Sequence, residues 1–384
     1  MKYRELGSTG LRVSEIGLGG EWLQRHTDAE VCAVFDACDE CGINVVDSWL
    51  AAPDVRTRIG DALRGRRDRW VIEGHIAPTW QNGQYVCTRD LKYVEPAFRD
   101  LLDRLHTDFL DIGMVHYVDR PDELTEMLNG SPFMRYVQKL KSCGNIRHIG
   151  ISTHNAAVAQ MAAQSGEVDV ILFSINPAFD MLPPSEDMSL YFSDEYRSDV
   201  SGQIDPARAR MYALCAQRGV GIHVMKAYAG GRLFDARTSP FGAALTPVQC
   251  LHYALTRPAV ASVMVGCDTP AHVYAAAAYE TASESDKDYA SVLAAAPKHA
   301  YGGQCTYCGH CAPCPAGIDV AMVNKFTDLA AMQPEVPDGV RAHYLALGAT
   351  AADCIACGGC ETRCPFHVPV IDRMAQARKR FGQA

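Results

Sequence analysis

Gly42-Ile43-Asn44-Val45-Val46-Asp47-Ser48 is a short, nearly continuous apolar run that ends beside a carboxylate. A strand that is apolar at successive positions has both faces covered, as in a parallel sheet packed under helices. Helical periodicity flanks it. Thr27 to Cys41 sets Val31, Val34, Phe35 and Cys38 on one face, and a second helix runs from Val55 to Leu63. Outward from this unit the alternation continues. Apolar strands are expected at 14–20, 70–76, 109–117, 148–153, 168–175, 221–226 and 260–266, with helices at 94–104, 133–142, 156–165, 206–217 and 247–255 between them. A hairpin turning at Gly7-Ser8-Thr9-Gly10 precedes the first strand. Eight strands alternating with helices predict an α/β fold, a (β/α)8 TIM barrel, with chemistry at the C-terminal ends of its strands.

The barrel pattern stops near Ala282, and a different composition follows. Cys305-Thr-Tyr-Cys308-Gly-His-Cys311-Ala-Pro-Cys314-Pro315 is answered by Cys354-Ile-Ala-Cys357-Gly-Gly-Cys360-Glu-Thr-Arg-Cys364-Pro365. Four-cysteine spacing alone also suits zinc, but two runs that each end in Cys-Pro select iron-sulfur clusters. Three cysteines on a tight loop grip three irons, and the fourth ligand comes from the other run. Cys305, Cys308, Cys311 and Cys364 are therefore assigned to one [4Fe-4S] cluster. Cys354, Cys357, Cys360 and Cys314 are assigned to the second. Between the runs, Ile318, Val320, Met322, Val323 and Phe326 form an apolar stripe, and another lies within 340–347, so the module reads as a small α-helical ferredoxin-like domain. The expected division is a barrel at 1–282, a helical linker at 283–298 and a two-cluster domain at 299–384.

The 384 residues are 48% hydrophobic and 21% charged, with a formal net charge of -9. That balance disfavours nucleic acid and anionic membranes as partners. No apolar run is long enough to span a bilayer, and the first residues lack a signal-peptide core, so a cytoplasmic setting is expected. The eight cysteines outside the runs read as small buried residues in a reducing compartment. Clusters of this type are oxygen-sensitive as a rule, which favours low-oxygen growth.

Several stretches together resemble the aldo-keto reductase family: 3–14, Asn44-Val45-Val46-Asp47-Ser48, Gly60-Asp61-Ala62-Leu63, 110–116 and 146–152. The cysteine module resembles the branch of that family with a C-terminal double [4Fe-4S] domain. The resemblance implies hydride transfer between NAD(P)H and a carbonyl, helped by an Asp, Tyr, Lys and His tetrad. Asp47 matches the aspartate and His116 the histidine. The tyrosine position falls on Ala52 and the lysine position on His75. Loss of a positioned general acid typically costs ~10²–10⁴ in rate, so ordinary carbonyl reduction is not expected. The resemblance gives Ser152, Asn155 and Asn176 to a nicotinamide, and Gly230, Gly231 and Gly266 to the rest of the dinucleotide. Asn155 also reads as a helix cap. Asp268 stands where a cation usually meets the 2'-phosphate, which disfavours NADP(H) more than NAD(H).

Asp47, His75 and His116 are thus the candidate catalytic residues, with His154 and Lys226 as neighbours at other strand ends. They suit acid-base work, or a divalent metal such as zinc or iron. Arg56 could hold an anionic substrate group, whereas Arg58 reads as an ion-paired surface residue. Two long connections, 77–93 and 176–205, carry Trp80, Tyr85, Tyr191, Phe192 and Tyr196, aromatic groups able to cover a flat substrate. The leading expectation is an iron-sulfur oxidoreductase with an altered tetrad. It would move electrons between its clusters and a small-molecule substrate or cofactor, with a ferredoxin or flavoprotein as electron partner. A flavin stays open as a further cofactor. The competing readings are a non-redox lyase or isomerase with structural clusters, and an electron-transfer or binding protein with an inactive barrel.

Overall fold

The computed structural model describes residues 1–181, 204–296, 303, 305–331 and 335–383. Tyr191, Phe192 and Tyr196 lie outside the described residues. The chain forms two compact units. One comprises Met1–Ile175, Gly219–Ala227 and Ala259–Ala282; the other comprises Asn176–Arg218, Tyr228–Pro258 and Ser283–Ala384.

The first unit opens with the antiparallel hairpin β1 (Tyr3–Glu5) and β2 (Arg12–Ser14). The chain then enters β3 (Ile16–Gly19), α1 (Asp28–Cys41), β4 (Val45–Ser48), α2 (Pro53–Ala62) and β5 (Val71–Ile76). A second hairpin follows, β6 (Pro78–Gln81) with β7 (Gln84–Cys87), then α3 (Leu91–Arg104) and β8 (Leu110–Val115). Helices α4 (Pro121–Leu128) and α5 (Pro132–Ser142) lead to β9 (Ile146–Thr153), and α6 (Ala156–Ser165) to β10 (Val170–Ser174). In chain order α7 (Pro177–Met181) and α8 (Pro206–Arg218) precede β11 (Gly221–Met225), and α9 (Pro247–Leu255) precedes β12 (Val260–Val265) and α10 (Pro270–Ala277).

Eight parallel strands close into a barrel in the order β10-β11-β12-β3-β4-β5-β8-β9. Every residue of β4, β5, β8 and β10 is buried, which is why these segments read as unbroken apolar runs. Val45, Val71, Ile112, Met114, Val170, Leu172, Ala261 and Met264 share one core cluster with Leu6 and Val13 of the first hairpin. That hairpin is seated on the N-terminal end of β11. Ser8 N–H donates to Gly219 O at 2.7 Å, and a Cβ on Gly7, whose φ is +54°, would strike Gly219 O. The opposite end of the barrel, where the strands finish, is left to function.

Local chemistry sets the helix starts. Thr27 and Glu30 form a capping box ahead of α1, Asn155 caps α6, and Thr246 with Gln249 forms a capping box ahead of α9. The connection after β5, expected as a long loop, is a hairpin. Asn82 and Gly83 turn it with φ of 51° and 76°, the left-handed pair that a tight Asn-Gly turn needs.

In the second unit α11 (Tyr289–Ala294) precedes the cysteine runs, α12 (Val320–Ala331) and α13 (Asp338–Leu345) lie between them, the short α14 (Gly359–Arg363) lies within the second run, and α15 (Val370–Phe381) follows. Helices α12 and α15 pack together, and Tyr344 stacks on Phe381 at 3.7 Å. Tyr289 Oη and Arg257 Nη2 both donate to Thr306 O, at 2.7 and 2.6 Å, which fixes the chain just after Cys305.

Candidate functional site

Asp47, His75 and His116 come from β4, β5 and the residue after β8, three strands that are neighbours in the barrel. Strand register places Asp47 beside Glu73 and His75 beside Met114, so the trio rises stepwise toward the barrel's C-terminal end. The side chains meet. His75 Nε2 lies 2.9 Å from Asp47 Oδ1. His75 Nδ1 lies 2.7 Å from His116 Nδ1, and His116 Nε2 lies 2.9 Å from Tyr85 Oη. The result is a row of close polar contacts from a buried carboxylate to a phenol that is 40% exposed, hydrogen-bonded from His75 outward.

Aromatic packing and backbone contacts hold the line in place. Trp49 stacks on the His116 ring at 5.5 Å, with 4° between the planes, and meets Tyr85 edge-on. Arg89 Nη2 donates to His116 O at 2.7 Å and pairs with Glu123. Burial, then the nearby His75, Arg89 and His154, lowers the His116 pKa well below the usual imidazole value. The ring is therefore neutral at ordinary pH, one nitrogen donating and the other accepting. Burial and the neighbouring Cys87 raise the Tyr85 pKa, so its hydroxyl keeps its proton.

Two residues of the barrel interior join this arrangement without having been singled out by the sequence. Glu73 shares a face of β5 with His75, two residues away. Its Oε2 lies 2.6 Å from Nδ1 of His223 on β11, which is four strands round the barrel, and both side chains are fully buried. A lone glutamate or histidine in an apolar strand gives no pairing signal, and 150 positions separate the two.

The other expected residues have different tasks. His154 pairs with Asp119, Nδ1 to Oδ2 at 2.8 Å, and acts on His116 of the trio through its charge. Burial and the acidic groups Glu21 and Asp119 act on Lys226 in opposite directions; burial prevails and lowers its pKa. Arg56 is buried and donates to Leu50 O, Ala97 O and Asp100, so it braces the scaffold and is not a substrate anchor. Arg58 is ion-paired with Asp28 and Asp54. Of the eight other cysteines, Cys38, Cys215, Cys250 and Cys267 are buried, but Cys87 and Cys143 are exposed and Cys32 and Cys41 only half-buried. The uniform burial expected for them therefore holds for half.

Asp119 yields a stability prediction. Its Oδ1 accepts from Thr153 Oγ1 and His154 N–H, at 2.9 and 2.6 Å. Burial raises its pKa, but the bonds from His154 and Thr153 outweigh that and leave it below the usual carboxylate value. A carboxyl with a depressed folded pKa stabilises fully above its unfolded value of about 3.9 and loses that contribution as pH falls through the folded pKa. Asp119→Asn is expected to cost about 3 kcal/mol near neutrality, and the difference from wild type should shrink below about pH 4. All four tryptophans (22, 49, 70 and 80) belong to the first unit. Denaturation followed by their fluorescence reads that unit alone, and an unchanged midpoint at pH 7 would refute the assignment.

The groups that the resemblance gives to a nicotinamide cofactor fall on both units and are largely committed elsewhere. Asn155 caps α6 through Oδ1, at 2.9 Å from Ala157 N, and donates through Nδ2 to Asp119 O. Ser152 Oγ accepts from Tyr117 N–H at 2.8 Å. A Cβ on Gly266 would meet the Trp22 indole at 2.5 Å, so that ring covers the glycine. Asp268 is paired with His272 and His26, and those pairings outweigh its burial to hold its pKa low. On the second unit, Asn176 Oδ1 accepts from Phe179 N–H, and Gly230 and Gly231 take positive φ in the turn at 229–234. Within the first unit, Asn155 thus uses both ends of its amide and Ser152 Oγ already accepts one backbone bond.

The cysteine runs fit clusters better. Cys314, Cys354, Cys357 and Cys360 line one cavity, with Pro315, Ile318, Val370 and Met374 around them. Cys308 and Cys311 both lie close enough to Cys364 to interact electrostatically with it. Arg363 Nη2 donates to Cys311 O and Pro313 O, tying the second run to the first. Burial pushes the Cys305 and Cys311 thiols up to about 12, so thiolates there need a metal charge beside them.

The Aldo/keto reductase family profile matches residues 15–245, and that of a 4Fe-4S dicluster domain matches residues 304–369. An uncharacterized oxidoreductase of Bacillus subtilis, YqkF, is 26% identical over 187 residues, 48% of this chain and 58% of its own length. The NADH-specific methylglyoxal reductase of Escherichia coli is 29% identical over 195 residues, covering 44% of this chain and 58% of that protein. The chain thus spans less than two thirds of these curated relatives. A putative aldo-keto reductase of Pseudomonas aeruginosa has a TM-score of 0.55 at 26% identity, covering 72% of this chain and 96% of that one. An aldo-keto reductase from Bacillus halodurans in its holo form has a TM-score of 0.59 at 21% identity, covering 78% and 98%, a likeness of fold.

Proposed function

The chain belongs to the aldo/keto reductase family and carries a C-terminal 4Fe-4S dicluster domain, and from that premise we propose an iron-sulfur oxidoreductase whose barrel has exchanged the family tetrad for a different proton line. Electrons would pass between two [4Fe-4S] clusters on the cysteine runs and a small molecule held at the C-terminal end of the barrel. Each cluster supplies one-electron transfer when bound. The observation that carries the reading is the contact chain Tyr85–His116–His75–Asp47. With alanine at position 52 and histidine at 75, a phenol reaches the site from the hairpin after β5.

The roles follow from position. Tyr85 is the outermost group, and its raised pKa suits it to donate a proton rather than to sit as a phenolate. His116, neutral and hydrogen-bonded on both nitrogens, hands protons between Tyr85 and His75. Trp49 covers the His116 ring and keeps water from that side. A partner ferredoxin or flavoprotein would supply or drain the electrons.

Titration of anaerobically purified protein, watched through the visible absorbance of the clusters, tests this. Dithionite should bleach them, whereas NADPH should not, because the resemblance puts the carboxylate of Asp268 where a 2'-phosphate would need a cation. Rapid bleaching by stoichiometric NADPH would restore the nicotinamide as electron donor and remove the basis for a separate electron partner.

A further inference from the structure

Inside the barrel, at the inner end of the proton line, a carboxylate oxygen of Asp47, one of Glu73 and a ring nitrogen of His75 all lie within 4.8 Å of one another. The three residues are 6%, 0% and 2% exposed. Asp47 Oδ1, Glu73 Oε1 and His75 Nε2 have no hydrogen-bond partner among the described residues. For Asp47 and His75 this holds although their atoms are 2.9 Å apart. The two groups are close, but their directions do not make a hydrogen bond. Leaving buried polar atoms unpaired is costly, and two adjacent carboxylates add like-charge repulsion.

We propose that Asp47, Glu73 and His75 bind one divalent first-row transition ion of the zinc, manganese or ferrous class. Two carboxylate oxygens and an imidazole nitrogen suit that class, with ligand distances of about 2.0–2.2 Å. Ligands at that distance from a tetrahedral ion are separated by about 3.4 Å, so the Asp47–His75 pair, now 2.9 Å apart, would open by about half an ångström, within a group whose atoms all lie inside 4.8 Å. The supporting groups are also in place. Metal-bound histidine usually hydrogen-bonds through its second nitrogen, and ligating carboxylates are themselves held. Here His75 Nδ1 meets His116 Nδ1 at 2.7 Å, and Glu73 Oε2 meets His223 Nδ1 at 2.6 Å. From the sequence alone, Asp47, His75 and His116 are the candidate metal ligands. In the structure both His116 nitrogens face His75 and Tyr85 instead, and Glu73 takes the third place.

An ion here would set the direction of the proton line. With Nε2 of His75 on the metal, the ring proton sits on Nδ1 and is donated to His116 Nδ1. His116 then carries its proton on Nε2, facing Tyr85 Oη, and the Tyr85 proton is free to point at a substrate. A His75 ring that instead carries its proton on Nε2 reverses the line, with His75 Nδ1 accepting from His116 and His116 Nε2 accepting from Tyr85 Oη. The inference goes beyond the oxidoreductase reading, and its failure would leave that reading standing, because the test reads stoichiometry rather than turnover.

The test uses the full chain with clusters intact, prepared anaerobically. Elemental analysis should find one zinc, manganese or extra iron per chain beyond the cluster iron. After removal of that ion by a chelator that spares the clusters, Mn(II) is titrated in, and the free-ion electron paramagnetic resonance signal is followed with the clusters oxidised. One Mn(II) should bind per chain and be displaced by Zn(II). Asp47→Asn and Glu73→Gln should each weaken binding at least about 10-fold, and His223→Asn, which touches the site only through Glu73, about 10–100-fold. Cluster absorbance and far-ultraviolet circular dichroism report folding. Should one of these variants unfold, His75→Gln serves in its place. Absence of any such ion together with no Mn(II) uptake by folded wild type would overturn the proposal. So would binding left unchanged in folded Glu73→Gln and Asp47→Asn, which would put the ion elsewhere.

Discussion

Tyr85→Phe should lower turnover by ~10²–10⁴ and leave substrate affinity nearly unchanged, the expected signature of losing a general acid and nothing else. The substitution removes one oxygen. The ring remains, with its edge against Trp49 at 5.8 Å and 87°. The His116 ring stays stacked on Trp49, and Arg89 still holds its carbonyl. The 2.9 Å contact between Tyr85 Oη and His116 Nε2 disappears, together with the hydroxyl's interaction with Cys87. The measurement is single-turnover reoxidation of dithionite-reduced clusters by a substrate that supports turnover, wild type against variant, followed across pH. Because the Tyr85 pKa is raised, its protonated form persists well above neutrality, and wild type should show no loss of rate from this group between pH 6 and 9. A variant that keeps the wild-type rate would show that the proton comes from elsewhere and that the hairpin is only a cover.

How far the sequence discloses this site follows from the kind of signal each residue leaves. The eight barrel strands are legible because burial on both faces makes each one an apolar run, and their spacing by helices permits few other architectures. Asp47, His75 and His116 are legible because each ends such a run, where barrel chemistry gathers. Tyr85 is read only as a lid aromatic, since nothing in its own neighbours says which way the connection folds. A usable signal was nonetheless present. Asn82-Gly83 is a strong two-residue hairpin turn, and pairing outward from it sets Tyr85 opposite Trp80. Glu73 is different in kind. Its partners His223 and Asp47 are set by barrel closure and strand register, which no local pattern encodes. Helix α4 escapes notice because eight residues with two buried positions give little periodicity. Helix α15 could have been found, as Val370, Met374, Ala377 and Phe381 recur at helical spacing.

The same limit applies to the cysteines, whose spacing identifies clusters without showing directly which four share one. Cys314→Ser should lower iron from about eight to about four atoms per chain and roughly halve the visible absorbance. Counting iron in that variant alone cannot separate the crossed assignment from a sequential one, since either loses one cluster. The double variant Cys314→Ser with Cys357→Ser can. Cys314 shares its cavity with Cys354, Cys357 and Cys360, under Ile318, Val370 and Met374. If those four hold one cluster, the second substitution removes nothing more, and about four irons remain. If Cys314 belongs with Cys305, Cys308 and Cys311, both clusters go. The crossed arrangement also has a mechanical consequence. Arg363, in the second run, donates to Cys311 O and Pro313 O in the first, at 2.7 and 2.8 Å, so each run helps to shape the ligand set of the other. Arg363→Ala should therefore speed loss of iron from both clusters under chelator challenge, whereas a sequential arrangement would confine the effect to the cluster nearer the lost guanidinium.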